Sequence, residues 1–281
     1  MLPIGIHLSY WQVSWSDDLE PLILKAKQAG FDVAEFPLMN PLELDYERLR
    51  NALTAEGMLA SCGTGLGPAT DISSPDPEIR QAGLDHLQAC FAGAEKLGSP
   101  VLGGVTYAGW GLFPDQDLPQ RRDLCMQSLR LAGKMAADHG VTLCLEVLNR
   151  FEGYLINTVE QGIQFLDEVD SPNIKLHLDT FHMNIEEDNI SDAIIQAGNY
   201  LGHFHCAENN RKIPGEGHIP WVEVHKALQL ARYQGYLVTE TFVNPAGEVG
   251  RGLTIWRSLA DDLDQAAYRA AEFLKHEVAN V

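Results

Sequence analysis

The stretch IKLHLDT (174–180) interleaves apolar residues with Lys175 and His177 and ends its apolar run on a carboxylate, Asp179. Three further runs repeat the design: TLCLEVLN (142–149) with Glu146, LGHFHCAE (201–208) with His205, and LVTETFV (237–243) with Glu240. Short apolar runs bounded by turn residues read as buried strands. The four polar residues are 33, 26 and 35 positions apart, about one strand plus one helix each. Ionised side chains are almost never buried in apolar strands without a partner. Three carboxylates and one imidazole, each near the same end of its strand, point to a divalent-metal site whose ion offsets their charge.

Outward from these runs, β-like segments alternate with amphipathic helical segments, and the count reaches eight. Strands are predicted at 4–11, 31–38, 59–66, 100–108, 141–148, 174–180, 201–206 and 236–242. Helices are predicted at 18–29, 45–56, 77–97, 120–139, 158–169, 190–197, 221–234 and 251–276. Gly30, Gly57, Gly98, Gly140 and Gly235 read as residues just past helix ends, and Asp45, Thr158 and Ser191 as helix N-caps. Eight such units in 281 residues predict an α/β fold, a single (β/α)8 TIM barrel over residues 1–281. A C-terminal helix at about 261–278 is expected as barrel cover or oligomer contact. An open doubly wound sheet is the competing topology. It fits less well, because no glycine-rich dinucleotide turn follows the first strand. Side chains on four consecutive strands also converge only when the sheet curves closed. Barrel active sites lie at the C-terminal strand ends, where all four residues fall.

The formal net charge is −19, from 39 acidic and 20 basic residues. Nucleic-acid binding needs a basic face, so no nucleic-acid partner is expected. No apolar run reaches the ~18 residues needed to span a bilayer, so no membrane association is expected. MLPIGIHLSYW (1–11) lacks the pattern of a signal peptide. Five cysteines without paired spacing read as reduced thiols of a cytoplasmic protein. Three oxygen donors and one nitrogen favour Mn²⁺, Mg²⁺ or Co²⁺ over zinc, with Mn²⁺ the first expectation. Without an ion the carboxylates repel, so at least one pKa should rise. No nucleotide or redox cofactor is expected.

The stretches LCLEVLNRFE (143–152), LDTFHMNIEE (178–187), GHFHCAENNRKIPGEGHIPW (202–221) and ETF (240–242) carry a family resemblance. With SYW (9–11) and IWRSL (255–259), they resemble the ketose 3-epimerases, within the xylose-isomerase-like barrel superfamily. That group comprises the D-tagatose, D-psicose (D-allulose) and L-ribulose 3-epimerases. The resemblance implies metal-dependent epimerisation at C3 of a free ketose, by proton abstraction and return through a cis-enediolate. It implies that Glu146, Asp179, His205 and Glu240 hold the metal and that Glu146 and Glu240 also form the acid/base pair. It carries Glu152, His182 and Arg211 over as contacts to the sugar's reacting end. The implied partner is a small ketose, and the expected assembly is a homodimer or homotetramer. The chain departs from the family at His7, where relatives often carry an aromatic residue, and at ETF in place of EPF. Both departures bear on the identity of the sugar.

Other residues near the predicted strand ends are weaker candidates. Trp15 and Trp110 follow the first and fourth strands and either wall the sugar's far end or pack in the core or an interface. Cys62 and Leu66, by the third strand, read as pocket lining, with Cys62 counted on the substrate side together with His7. His203, on the same face as His205 but deeper, reads as a hydrogen-bonded histidine and not a fifth ligand. PGEGHIP (214–220) is either part of the mouth or a plain loop. Three rival functions share part of this pattern. One is another metal-dependent sugar or sugar-phosphate isomerase on the same barrel. The others are an endonuclease IV-like phosphodiesterase, which the net charge disfavours, and a non-catalytic sugar-binding protein.

Overall fold

A computed structural model describes residues 1–280. Eight parallel strands pair in chain order and close into a barrel, the last against the first. The strands are β1 (Ile4–His7), β2 (Val33–Pro37), β3 (Leu59–Gly65), β4 (Val101–Val105), β5 (Thr142–Glu146), β6 (Ile174–Asp179), β7 (Leu201–His205) and β8 (Leu237–Thr239). Around them run α1 (Glu20–Gln28), α2 (Tyr46–Glu56), α3 (Pro77–Leu97), α4 (Leu118–Asp138), α5 (Val159–Val169), α6 (Thr180–Glu186), α7 (Ile190–Ala197), α8 (Trp221–Leu230), α9 (Gly247–Gly252) and α10 (Leu263–Phe273). The expected (β/α)8 barrel is the observed fold. No helix is long and apolar enough to cross a membrane among the described residues.

Several elements differ from the sequence expectation. The first strand stops at His7, and Leu8–Tyr10 form a 3₁₀ turn. The predicted helix at 251–276 is two helices, α9 and α10, because 253–262 leave the helical path. The extra helix α6 starts directly at the end of β6, its N-terminus capped by Asp179 accepting from the Phe181 N–H at 2.8 Å. α10 packs as barrel cover, burying Ala266, Ala267, Ala270 and Ala271, and its last turn continues as a π turn over Leu274–Val278.

Asp45 and Thr158 cap α2 and α5 as expected, and Gly30, Gly57, Gly98 and Gly140 adopt positive φ. Gly235 does not end a helix. α8 stops at Leu230, and the left-handed residue after it is Arg232. The cap of α7 is Asn189, not Ser191: the Asn189 side chain accepts from the N–H groups of Ser191 and Asp192.

Two features of the barrel wall set the interior. In β4, a Cβ on Gly103 would lie 3.1 Å from both His177 Nδ1 and His203 Cδ2, so glycine leaves room for imidazoles crossing from β6 and β7. Between β6 and β7 the register runs from Leu176↔Leu201 to His177↔His203, which skips Gly202. This bulge re-aims the rest of β7, so that His203 and His205 stand beside His177 and Asp179.

The capping assignment makes a testable difference. Asn189→Ala should destabilise the protein by about 1 kcal/mol, whereas Ser191→Ala should stay within about 0.5 kcal/mol of wild type. Urea unfolding of the two variants measures this, and equal losses would contradict Asn189 as the cap.

Candidate active site

Glu146, Asp179 and His205 are the last residues of β5, β6 and β7, and Glu240 follows β8 by one position. One ligand atom from each lies within 4.8 Å of the other three. Glu146, Asp179 and His205 are buried, and Glu240 keeps partial exposure towards a cavity of about 390 Å³. The sequence expectation that these four residues meet is therefore met by the geometry. His205 Nδ1 is buried with no hydrogen-bond partner and lies 3.7 Å from Glu240 Oε2. An orphaned nitrogen beside three carboxylates is a donor set suited to a hard divalent cation.

The electrostatics follow from this crowding. Burial and the Glu240 charge push Glu146 well above the usual carboxylate range. Burial raises Asp179 to about 7; Arg211 opposes that rise and Glu240 adds to it. Glu240 goes the other way. Burial would raise it, but the His205 imidazole beside it outweighs that and lowers it to about 2. Burial would lower His205, yet the Glu35 and Glu240 carboxylates hold it well above the ordinary imidazole value.

The residues transferred from the resemblance also gather here. Arg211 Nη1 is 3.4 Å from Asp179 Oδ2 and 3.5 Å from Glu240 Oε2, and Nη2 is 3.6 Å from Glu152 Oε1. Its guanidinium stacks 3.7 Å above the Phe181 ring. Arg211 has φ +62°, a left-handed backbone that a non-glycine residue adopts at a cost of roughly 1 kcal/mol. That turn delivers its side chain over the site. Glu152 accepts from Trp110 Nε1 at 3.0 Å and from Asn149 Nδ2 at 2.9 Å. His182 Nδ1 accepts from the Asn149 backbone N–H at 3.2 Å, which leaves Nε2 3.5 Å from Glu146 Oε1. Burial, helped by Arg211, lowers His182 to about 4, so its ring is neutral.

His7, Trp15, Trp110 and Leu66 line the cavity. Trp110 is both wall and support, since its indole holds Glu152. Cys62 does not line the site. Gly63 faces inward towards the His7 ring, so the preceding residue points outward, and Cys62 is fully buried against the helix layer. PGEGHIP (214–220) is a plain loop away from the cavity, stapled by Glu208, which accepts from Gly215 N, Ile219 N and Trp221 Nε1.

Two functional-site residues escaped the sequence reading. Asn149 orients both Glu152 and His182. Glu35 on β2 is 0% exposed and bonds His205 Nε2 at 2.6 Å and His203 Nε2 at 2.7 Å. Its run FDVAEFPL carries the same signal as the other strands, an acid in an apolar β-like segment, but Glu35 precedes the strand end. His203 is hydrogen-bonded, as expected of it, with Glu35 as partner.

The pKa directions predict a pH dependence in chelator. Asp179 and Glu146 have folded pKa values above their unfolded ones, so the native state binds their protons more tightly. Their contribution to stability is full below about pH 4 and is lost as pH rises through about 7 for Asp179. In EDTA, Asp179→Asn should therefore show a flatter stability profile than wild type between pH 5 and 8. Urea midpoints across that range test it, and parallel profiles would refute the assignment.

The profile of the xylose isomerase-like TIM barrel family matches residues 23–273. The chain is 39% identical over 282 residues to the D-psicose 3-epimerase of Ruminiclostridium cellulolyticum, covering 97% of this chain and 96% of that one. It is 34% identical over 279 residues to the L-ribulose 3-epimerase of a Methylomonas species, covering 98% and 97%. Among solved structures, the D-psicose 3-epimerase of Clostridium cellulolyticum H10 with D-tagatose superposes with a TM-score of 0.92, at 38% identity and 99% coverage of each chain. A D-psicose 3-epimerase crystallised in the presence of D-fructose gives 0.95 at 34% identity, covering 99% of this chain and 100% of that one. An enzyme of the isomerase class, the chain belongs to the ketose 3-epimerases of the xylose isomerase-like TIM barrel family.

Proposed function

We propose that this protein epimerises a free ketose at C3, using a divalent metal held by Glu146, Asp179, His205 and Glu240. The observation that carries the reading is the convergence of these four ligand atoms within 4.8 Å, beside the cavity that Glu146, His205 and Glu240 line. The oxygen-rich donor set favours Mn²⁺, with Mg²⁺ or Co²⁺ as substitutes. A bound ion supplies Lewis-acid charge that eases the build-up of negative charge at the sugar's C2 oxygen.

The chain's own residues carry the proton. C3 lies next to the C2 carbonyl, so its C–H bond breaks with the electron pair passing into a C2–C3 double bond. The resulting enediolate regains a proton at C3 on its opposite face. Two carboxylates are needed, one for each face. Glu146 ends β5 and Glu240 follows β8, with Asp179 and His205 on the two strands between them. That separation suits approach from two sides, and the roles exchange with the configuration of the sugar. His182, neutral with Nε2 towards Glu146, donates to a sugar oxygen. Arg211 and Glu152, braced by Phe181, Trp110 and Asn149, hold hydroxyls at the reacting end. Trp15, Trp110 and His7 border the far end.

Two outcomes are expected. Glu146→Gln and Glu240→Gln should each lower turnover at least ~10³-fold, since each loses general acid/base catalysis and a metal ligand. Chelation of the wild type should abolish activity and Mn²⁺ should restore it. Near-normal rates in either variant would remove that residue from the mechanism. Among the described residues lining the cavity, Arg211 alone is a lysine or arginine, and it already faces three carboxylates. A terminal phosphate at the far end meets no fixed cation, and its burial there is costly. Glu248 lies in the first turn of α9, tied to Ser14 Oγ and Trp15 N at 2.7 Å. D-Tagatose, D-fructose, D-psicose or L-ribulose should therefore exceed their phosphate esters in kcat/KM. A preference for a phosphorylated ketose would overturn the free-ketose assignment.

A further inference from the structure

Glu35 stands apart from the carboxylates discussed above. It is on β2, and β2 is not a neighbour of β7 in the barrel, so its side chain reaches across the interior to the two β7 imidazoles. It is fully buried, and both its oxygens are engaged: Oε1 with His205 Nε2 at 2.6 Å and Oε2 with His203 Nε2 at 2.7 Å. A carboxylate in this setting only accepts, so the nitrogen facing each of its oxygens must be the donor. Each Nε2 is therefore the protonated nitrogen. The His205 Nε2 proton is committed to Glu35, so Nδ1 is the nitrogen whose lone pair is available to a bound cation. That atom is buried, unpaired and next to Glu240.

We propose that Glu35 is a positioning residue for His205: it fixes the Nε2–H tautomer and the ring orientation, and so aims the Nδ1 lone pair at the point where Glu146, Asp179 and Glu240 converge. The inference rests on the metal reading above and adds a residue to it. His203 has a distinct part. By occupying Oε2 it stops the Glu35 carboxylate from rotating, so that Oε1 stays on His205. Gly103 supplies the space, because a Cβ there would press on the His203 and His177 rings at 3.1 Å. The arrangement also passes negative charge from Glu35 to the imidazole, which strengthens it as a ligand for a cation.

The test is Glu35→Gln, which keeps the side-chain shape. Its amide offers one accepting and one donating atom, so it cannot accept from both Nε2–H groups. Protein stripped of metal is titrated with Mn²⁺, and free Mn²⁺ is followed by electron paramagnetic resonance. The variant should bind about 10- to 100-fold more weakly than wild type, the usual effect of losing such a partner. A role in packing alone would lower the melting temperature in chelator and leave the Mn²⁺ dissociation constant unchanged, and that result overturns the proposal. If wild type itself binds no Mn²⁺, the metal reading fails and the proposal with it. Affinity retained in wild type and equal in the variant sinks only the proposal. A second measurement needs no variant. Long-range ¹H–¹⁵N correlation of the Mg²⁺-loaded wild type should place the single ring proton of His205, and that of His203, on Nε2. A proton on His205 Nδ1 would overturn the assignment even if Glu35→Gln fails to fold.

Discussion

Three carboxylates crowd around one imidazole at the buried end of the barrel, and their mutual repulsion is the constraint that the surrounding structure has to meet. In an interior of low dielectric such charges cannot all be ionised without a cation among them. The protein's own response is visible in the opposite directions taken by the site's groups. Glu146 and Asp179 are pushed towards the protonated form, while Glu240 stays ionised against His205. Arg211 contributes fixed positive charge from a strained turn, stacked on Phe181 so that it cannot swing away. A bound divalent ion would replace these partial remedies with one strong one, which favours the proposed metal centre over a set of structural ion pairs.

Around that centre the barrel divides its labour. Strands β5 to β8 bring the convergent carboxylates and imidazole, the loops after β5 and β7 bring Glu152 and Arg211, and α6 brings His182. Strands β1 to β4 contribute mostly space and apolar surface: Gly63, Gly103, Leu66, Val105 and the two tryptophans in the following loops. The exceptions on that side are His7 and Glu35. Glu35 is the link between the halves, since it reaches from β2 to the β7 histidines.

Much of this was legible in the chain. An acid in an apolar strand needs a partner, so Glu146, Asp179 and Glu240 stood out without any fold in hand. The regular spacing of strand and helix patterns then required that those acids share one end of one sheet. Errors clustered where local pattern and three-dimensional path diverge. Residues 253–262 have polar and apolar residues in helical proportion, yet leave the helical path between α9 and α10. Cys62 sits close to the site in sequence but faces the helices, because strand alternation assigns the interior to Gly63. Asn149 gave no signal, since a short amide in a loop after a strand is common and its value lies in reaching both Glu152 and His182.

A closed eight-stranded α/β barrel, and one charged site formed by four residues at its strand ends, are both readable from the residues alone. Both conclusions follow from periodicity and from the cost of burying unpaired charge, which are local and one-dimensional. Which nitrogen of His205 faces that site is settled by packing across the barrel. The answer depends on Glu35, about 170 residues away in the chain, on the Gly202 bulge that turns β7, and on the empty volume beside Gly103. A tautomer is set by the hydrogen-bond partner of the opposite nitrogen, and such a partner is chosen by packing across the barrel, not by spacing along the chain.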